Sequence, residues 1–234
     1  MKLLIKFPKR GRPERALDVL SRYRSLLSGK HEVFFLISID QSDSSMNNQS
    51  ILNRLGIFVK RVGTSQGLCH VGSNGSKVQA INADMDLAPK DWDVLLLASD
   101  DMIPLVPDYD AIINDQIHSH FPNLDGCVWF HDGFRRDLCT LVIMGRPYFQ
   151  RFGYIYHPDY MSLWCDNEWT EVAQANGKLP FIDQTIIRHD HFANTRATRV
   201  DAVYKKNETY YHQDAALYRV RKAQGFFFGQ EPAK

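Results

Sequence analysis

The stretch Trp92-Asp93-Val94-Leu95-Leu96-Leu97-Ala98-Ser99-Asp100-Asp101 decides the fold. Residues 94–98 are apolar without a break, the pattern of a strand covered on both faces, and such strands belong to parallel sheets with helices on either side. The run ends abruptly in two carboxylates.

Working outward, residues 33–39 repeat the pattern and end in Asp40. Residues 3–7 form a first apolar strand before a turn at 8–13, where Gly11, Pro8 and Pro13 break regular structure. Between these strands Ala16, Leu17, Leu20, Tyr23 and Leu27 fall on one face of a helix that stops near Gly29. The unit is strand, helix, strand. After the polar stretch 41–49 come a short helical segment and a strand expected at 57–62. Residues 63–75, with Gly63, Gly67, Gly72 and Gly75, read as a mobile loop over a site. A helix is expected from Ser76 to about Leu87.

This alternation predicts an α/β fold with a mostly parallel central sheet flanked by helices and right-handed crossovers. Ligands then belong at the carboxyl ends of the strands. The second half is more mixed. Helices are expected at 108–120, 167–176 and 208–223, and strands at 126–130, 140–144 and 181–188, the last leading into His189 and His191.

The 234 residues are enough for one sizeable core, and a single domain is expected. With 28 basic against 27 acidic residues, the net charge of +1 supplies no field to gather nucleic acid, so an anionic ligand must be held locally. Residues 1–8 hold a short apolar run and are followed by Lys9, Arg10 and Arg12, the reverse of a secretory signal. No stretch approaches the roughly 18 uninterrupted apolar residues of a transmembrane segment, so a cytoplasmic protein is the simplest expectation. The four scattered cysteines read as reduced thiols.

Asp100 and Asp101 place paired like charges at a strand end, where they repel unless a cation, a proton or solvent relieves them. Mg2+ and Mn2+ accept one or two carboxylates together with phosphate oxygens, which makes a metal-bound diphosphate a natural partner. The plain alternative is two acids in a solvated turn. Asp40 stands in the same relation to its strand and can accept a ring N–H of a nucleobase. Arg10 and Arg12 lie in the first strand-to-helix turn, facing any anion there, and Lys77 opens the helix after the glycine-containing stretch. Surface cations are a common alternative for all three.

Asp166 precedes an amphipathic helix as either its N-cap or a general base. His189 and His191, one residue apart after a strand, point to one face, and one of them can join a metal.

With these residues assembled, the chain resembles the family 2 glycosyltransferases and their GT-A fold, a Rossmann-related nucleotide-binding sheet. The matching segments are Phe7-Pro8-Lys9-Arg10-Gly11-Arg12-Pro13, Ser38-Ile39-Asp40-Gln41-Ser42-Asp43, Ser76-Lys77-Val78-Gln79-Ala80-Ile81-Asn82 and Leu97-Ala98-Ser99-Asp100-Asp101. The resemblance implies a nucleotide-binding half, 1–104, and an acceptor-binding half, 105–234. It implies a UDP- or GDP-sugar donor, a hydroxyl acceptor and a divalent cation, Mn2+ or Mg2+. Pro8, Arg10, Arg12, Asp40, Lys77 and Asp100 would line the donor site, Asp101 and His191 would hold the metal, and Asp166 would be the base. The chain departs from the family pattern at Ala98, where an acid is common, and at Cys165, where a glutamate is common; Glu168 is a rival base. The processive Gln-x-x-Arg-Trp motif is absent, which points to single addition. A nucleotidyltransferase is the alternative enzyme, although only Gly11 represents its glycine-rich phosphate loop. A catalytically silent nucleotide-binding scaffold is the alternative outside the enzymes.

Overall fold

The structure is a computed structural model that describes residues 1–195 and 200–227. The first half runs β1 (Lys2–Lys9), α1 (Pro13–Ser25), β2 (Glu32–Asp40), α2 (Gln49–Phe58), β3 (Ser65–Gly72), α3 (Lys77–Asn82), β4 (Val94–Leu97). The second half runs β5 (Met102–Pro104), α4 (Tyr109–His120), β6 (Trp129–Phe130), β7 (Ile143–Gly145), α5 (Arg146–Gln150), α6 (Cys165–Ala175), β8 (Phe181–Ile182), β9 (Ile187–His189), α7 (Ala202–Glu208), α8 (Tyr211–Ala223).

The main sheet has the order β3-β2-β1-β4-β7, in which β3, β2, β1 and β4 are parallel and β7 closes the edge antiparallel to β4. Two small pairs stand apart from it, β5 with β9 and β6 with β8. Alternate residues of β1 feed opposite cores, as expected for a sheet covered on both sides. Leu3, Ile5 and Phe7 pack with α1, α2 and α4, whereas Leu4 packs with Val78 of α3 and with Tyr148, Tyr160 and Trp169. This is the α/β arrangement expected, in one domain.

Three boundaries differ from expectation. No strand forms at 57–62: Ile57 and Phe58 end α2, and the residues after them turn toward β3. Ile51, Leu55 and Phe58 share the buried face of α2, Asn48 caps it by accepting the Ile51 N–H at 3.1 Å, and Ile57, which suggested a strand, is 66% exposed. The stretch 63–75 expected to be a loop contains β3, an edge strand only half buried and so without an apolar run. Gly67 is required there, because a Cβ would stand 2.5 Å from the Phe35 carbonyl oxygen. Finally, Pro8 lies within β1 and not in the turn. β4 pairs with β1 only from Leu3 to Lys6, so the missing N–H of Pro8 costs no ladder bond on that side.

In the second half, the strand expected at 181–188 divides into β8 and β9, which pair with different partners, and the last helix expected at 208–223 is α8, preceded by α7 as a separate element. Among the described residues no helix is long and apolar enough to cross a membrane.

Candidate active site

From β1 the chain passes to β2 on one side, while β4 joins β1 on the other, so a crevice opens at the carboxyl ends of β1 and β4. A cavity of about 520 Å3 occupies it. Pro8, Arg10, Arg12, Asp40, Lys77, Asp100, Asp101, Asp166 and His191 all line this one cavity, although they come from strand ends, loops and the first turns of α3 and α6.

The cations of the first turn are less free than the sequence suggests. Arg10 reaches Asp40 at 2.5 Å, and the Ser42 N–H donates to the same carboxylate at 2.8 Å. Arg12, with φ 51, donates to Asp201 at 2.8 Å and lies 3.4 Å from Asp100. Lys9, which sequence reasoning passed over, is buried against Asp100 at 2.7 Å. Burial pushes its ammonium down, and the Asp100 charge opposes that shift. Lys77 is exposed at the rim and has no ion pair among the described residues, which leaves it available to an incoming anion.

Asp101 follows β4 and is buried. Its carboxylate accepts from the Ser99 hydroxyl and from Tyr204 Oη at 2.9 Å, and His189 Nε2 lies 3.9 Å away. Burial by itself would raise this acid, but His189, the two hydroxyls and the Lys77 charge outweigh it and hold the carboxyl well below the usual carboxylate range. The His191 ring meets Tyr204 edge-on at 4.7 Å. Burial and then His189 push its imidazole down to about 4, so it is neutral at physiological pH.

Among the described residues no three His, Cys, Asp or Glu side chains gather into a self-contained metal cage. An ionised Asp101 and a neutral His191 are instead a partial donor set, one carboxylate and one imidazole. Such a set fits a hard cation whose remaining positions are filled by phosphate oxygens.

Across the cavity, α6 begins at Cys165 and its N-cap is Trp164, whose φ of 63 is left-handed. Asp166 is therefore inside the first turn and does not cap the helix. Its main-chain carbonyl accepts from Thr170 Oγ1 at 2.7 Å, and its side chain lines the cavity. The rival Glu168 is buried, held by Arg221 at 2.7 and 2.8 Å and by the Tyr160 hydroxyl at 2.8 Å. That leaves it without a path to substrate. The segment before Trp164 is pinned by Asp214 of α8, which accepts the N–H groups of Met161, Ser162 and Leu163 at 3.0, 2.8 and 2.8 Å. Nothing local in the sequence signals that contact, which spans about fifty residues.

No known sequence family and no curated protein sequence matches the chain. Solved structures do. The chain is similar to a mannosyltransferase from Pyrobaculum calidifontis in complex with GDP-Man and Mn2+, with TM-score 0.60 and 13% identity, over 98% of this chain and 65% of that one. It is similar to TarS from S. aureus with TM-score 0.55 and 11% identity, over 80% of this chain and 60% of that one. It is also similar to a CMP:2-keto-3-deoxy-manno-octonic acid synthetase complexed with CTP, with TM-score 0.51 and 9% identity, over 91% of this chain and 98% of that one. The chain thus spans less than two thirds of the length of the mannosyltransferase and of TarS. At these identities the likeness is one of fold, and the fold is the GT-A type shared by nucleotide-sugar transferases.

Proposed function

We propose that this protein is a glycosyltransferase that moves a sugar from a UDP- or GDP-sugar to an acceptor hydroxyl with inversion at the anomeric carbon. The observation that carries the reading is the convergence, on one cavity at the sheet's switch point, of Asp40, Asp100 and Asp101 with Asp166 and His191 from the second half. In this reading the nucleoside lies along the ends of β1 and β2, with Asp40 toward the base. Asp101 and His191 hold a divalent cation, Mn2+ or Mg2+, which when bound neutralises charge on the diphosphate. Lys77 faces the same anion from the rim. Asp166 takes the proton of the acceptor hydroxyl as its oxygen bonds to the anomeric carbon. The bond from that carbon to the phosphate oxygen breaks, and the nucleoside diphosphate leaves. Asp166 suits the role because it reaches the cavity while Glu168 is consumed by Arg221.

Fold alone does not choose between a transferase and the synthetase it also resembles. A panel of nucleotide-sugars with Mn2+ does, read by nucleoside diphosphate released and by the melting temperature with each nucleoside diphosphate, with and without the ion. Release of diphosphate from one donor, and stabilisation by its nucleotide that depends on the cation, are expected. Pyrophosphate release from a nucleoside triphosphate and a sugar would replace this reading with nucleotidyl transfer, and no response to any nucleotide would leave a scaffold.

A further inference from the structure

Trp164 lines the cavity two residues before Asp166. Its backbone, φ 63 and ψ −11, is in the left-handed region, which a bulky residue enters rarely and at an energetic cost. The surroundings over-determine that geometry. Asp214, fully buried, grips the three N–H groups immediately before it, and the Val78 N–H donates to the Met161 carbonyl at 3.1 Å.

The indole is also braced by two tyrosine rings. Tyr218 packs against it at 5.1 Å between centroids with the planes 36° apart, and Tyr211 meets it edge-on at 5.7 Å. The ring remains partly exposed, and what it exposes belongs to the cavity wall together with Tyr210 and Tyr211. The same cavity is also lined by Asp166, Asn167 and Arg135, whose guanidinium is paired with Asp137.

A rigid aromatic plate in a cavity that also holds a carboxylate, an amide and a guanidinium matches one class of alcohol. A pyranose has an apolar face of C–H groups that stacks on an aromatic ring, and a rim of hydroxyls that needs donors and acceptors in one plane. A long-chain alcohol brings one hydroxyl and no second polar group for the Asn167 amide, and a serine or threonine side chain has no face to set on the indole. We propose that the acceptor is a saccharide whose terminal sugar stacks on Trp164 and presents one hydroxyl to Asp166. This rests on the glycosyltransferase reading and narrows it. The new bond then joins two sugars, the acceptor oxygen's proton goes to Asp166, and the nucleoside diphosphate departs.

The test uses the whole chain with its donor, Mn2+, and three sets of acceptors: mono- and oligosaccharides, long-chain alcohols, and serine- or threonine-containing peptides. Faster release of nucleoside diphosphate with a saccharide, and a disaccharide linkage in the product, are expected. Trp164→Leu should raise the saccharide KM by about tenfold with a much smaller change in kcat, and Trp164→Phe, which keeps a ring, should recover most of the loss. The phenylalanine variant also keeps the comparison open if the leucine variant does not fold. Transfer to a lipid or peptide hydroxyl in preference to every saccharide, or an unchanged saccharide KM in Trp164→Leu, overturns the proposal. Donor hydrolysis with no response to any saccharide overturns it while leaving sugar transfer standing; absence of nucleotide-sugar binding overturns both.

Discussion

Tyr204 donates its phenolic proton to Oδ2 of Asp101 at 2.9 Å, tying α7 to the residue that follows β4. The same ring lies 4.1 Å beneath the Arg12 guanidinium, and Arg12 is bound to Asp201, the N-cap of α7. Burial, together with the Asp101 charge, pushes the Tyr204 phenol up, so the proton stays on the tyrosine and Asp101 remains the acceptor. Partners of this kind orient a metal-binding carboxylate, and their loss costs about 10–100-fold in affinity. Tyr204→Phe keeps the stacking and removes only the hydroxyl. We expect nucleoside diphosphate binding in the presence of Mn2+ to weaken by about tenfold, measured calorimetrically. Tighter binding would show instead that the hydroxyl competes with the cation for Asp101.

Asp166→Asn separates chemistry from binding. Its carboxylate accepts the Asn167 N–H at 3.1 Å in the first turn of α6, a bond that an asparagine oxygen can keep, and it forms no ion pair among the described residues, so its replacement should shift stability by no more than about 1 kcal/mol. If it is the base, kcat should fall by roughly 100-fold or more while the nucleotide affinity stays within about twofold. Turnover near the wild-type rate would remove the assignment.

How far sequence reached this site depends on where each residue's role originates. Asp40, Asp100 and Asp101 announce themselves because each follows a continuous apolar run, and a buried strand must end where the sheet meets the crevice. β3 did not, because an edge strand that is only partly buried from Gln66 onward carries no such run. Tyr204 and Asp214 act through contacts 103 and about 50 residues away, and neither stands at a patterned position. Asp201 is similar: its role as partner of Arg12 appears only once α7 folds back over the first turn, where Val203 comes within 2.9 Å of where a Cβ on Gly11 would stand.

Asp214 offers a stability test of the loop that carries Trp164. Truncation to alanine removes the acceptor of three N–H groups, one buried and two partly buried, and a buried one left without an acceptor costs about 1–3 kcal/mol, so a loss of about 2–3 kcal/mol is expected in denaturant unfolding. Asp214→Asn should be milder. Ser162 and Leu163 both donate to Oδ2, so a single amide oxygen placed there keeps two bonds and loses only the one to Met161. If alanine and asparagine are equally harmful, the carboxylate's charge matters more than its acceptor geometry.

Lys6 carries a pH dependence of its own. It is fully buried in the centre of β1, where its ammonium donates to the Ser38 hydroxyl and, at 2.6 Å, to the Ala83 carbonyl; Ser38 in turn donates to Asp84 at 2.5 Å. Desolvation lowers its pKa from 10.5 to about 8, against the pull of the Asp84 charge. Above 10.5 the amine is neutral in both folded and unfolded chains. As pH falls from there the unfolded chain takes up the proton first, and the folded chain follows only near 8, so stability declines across that window and is flat below it. Lys6→Met removes the titration but keeps the length of the side chain. The wild type should therefore gain on the variant by up to about 3 kcal/mol as pH rises from 8 to 10.5, because every other titrating group cancels in the difference. The loss of the Ala83 and Ser38 contacts adds only an offset that does not change with pH. Urea unfolding of both proteins across that range measures the slope, and a constant difference would mean that Lys6 is charged in the folded protein throughout.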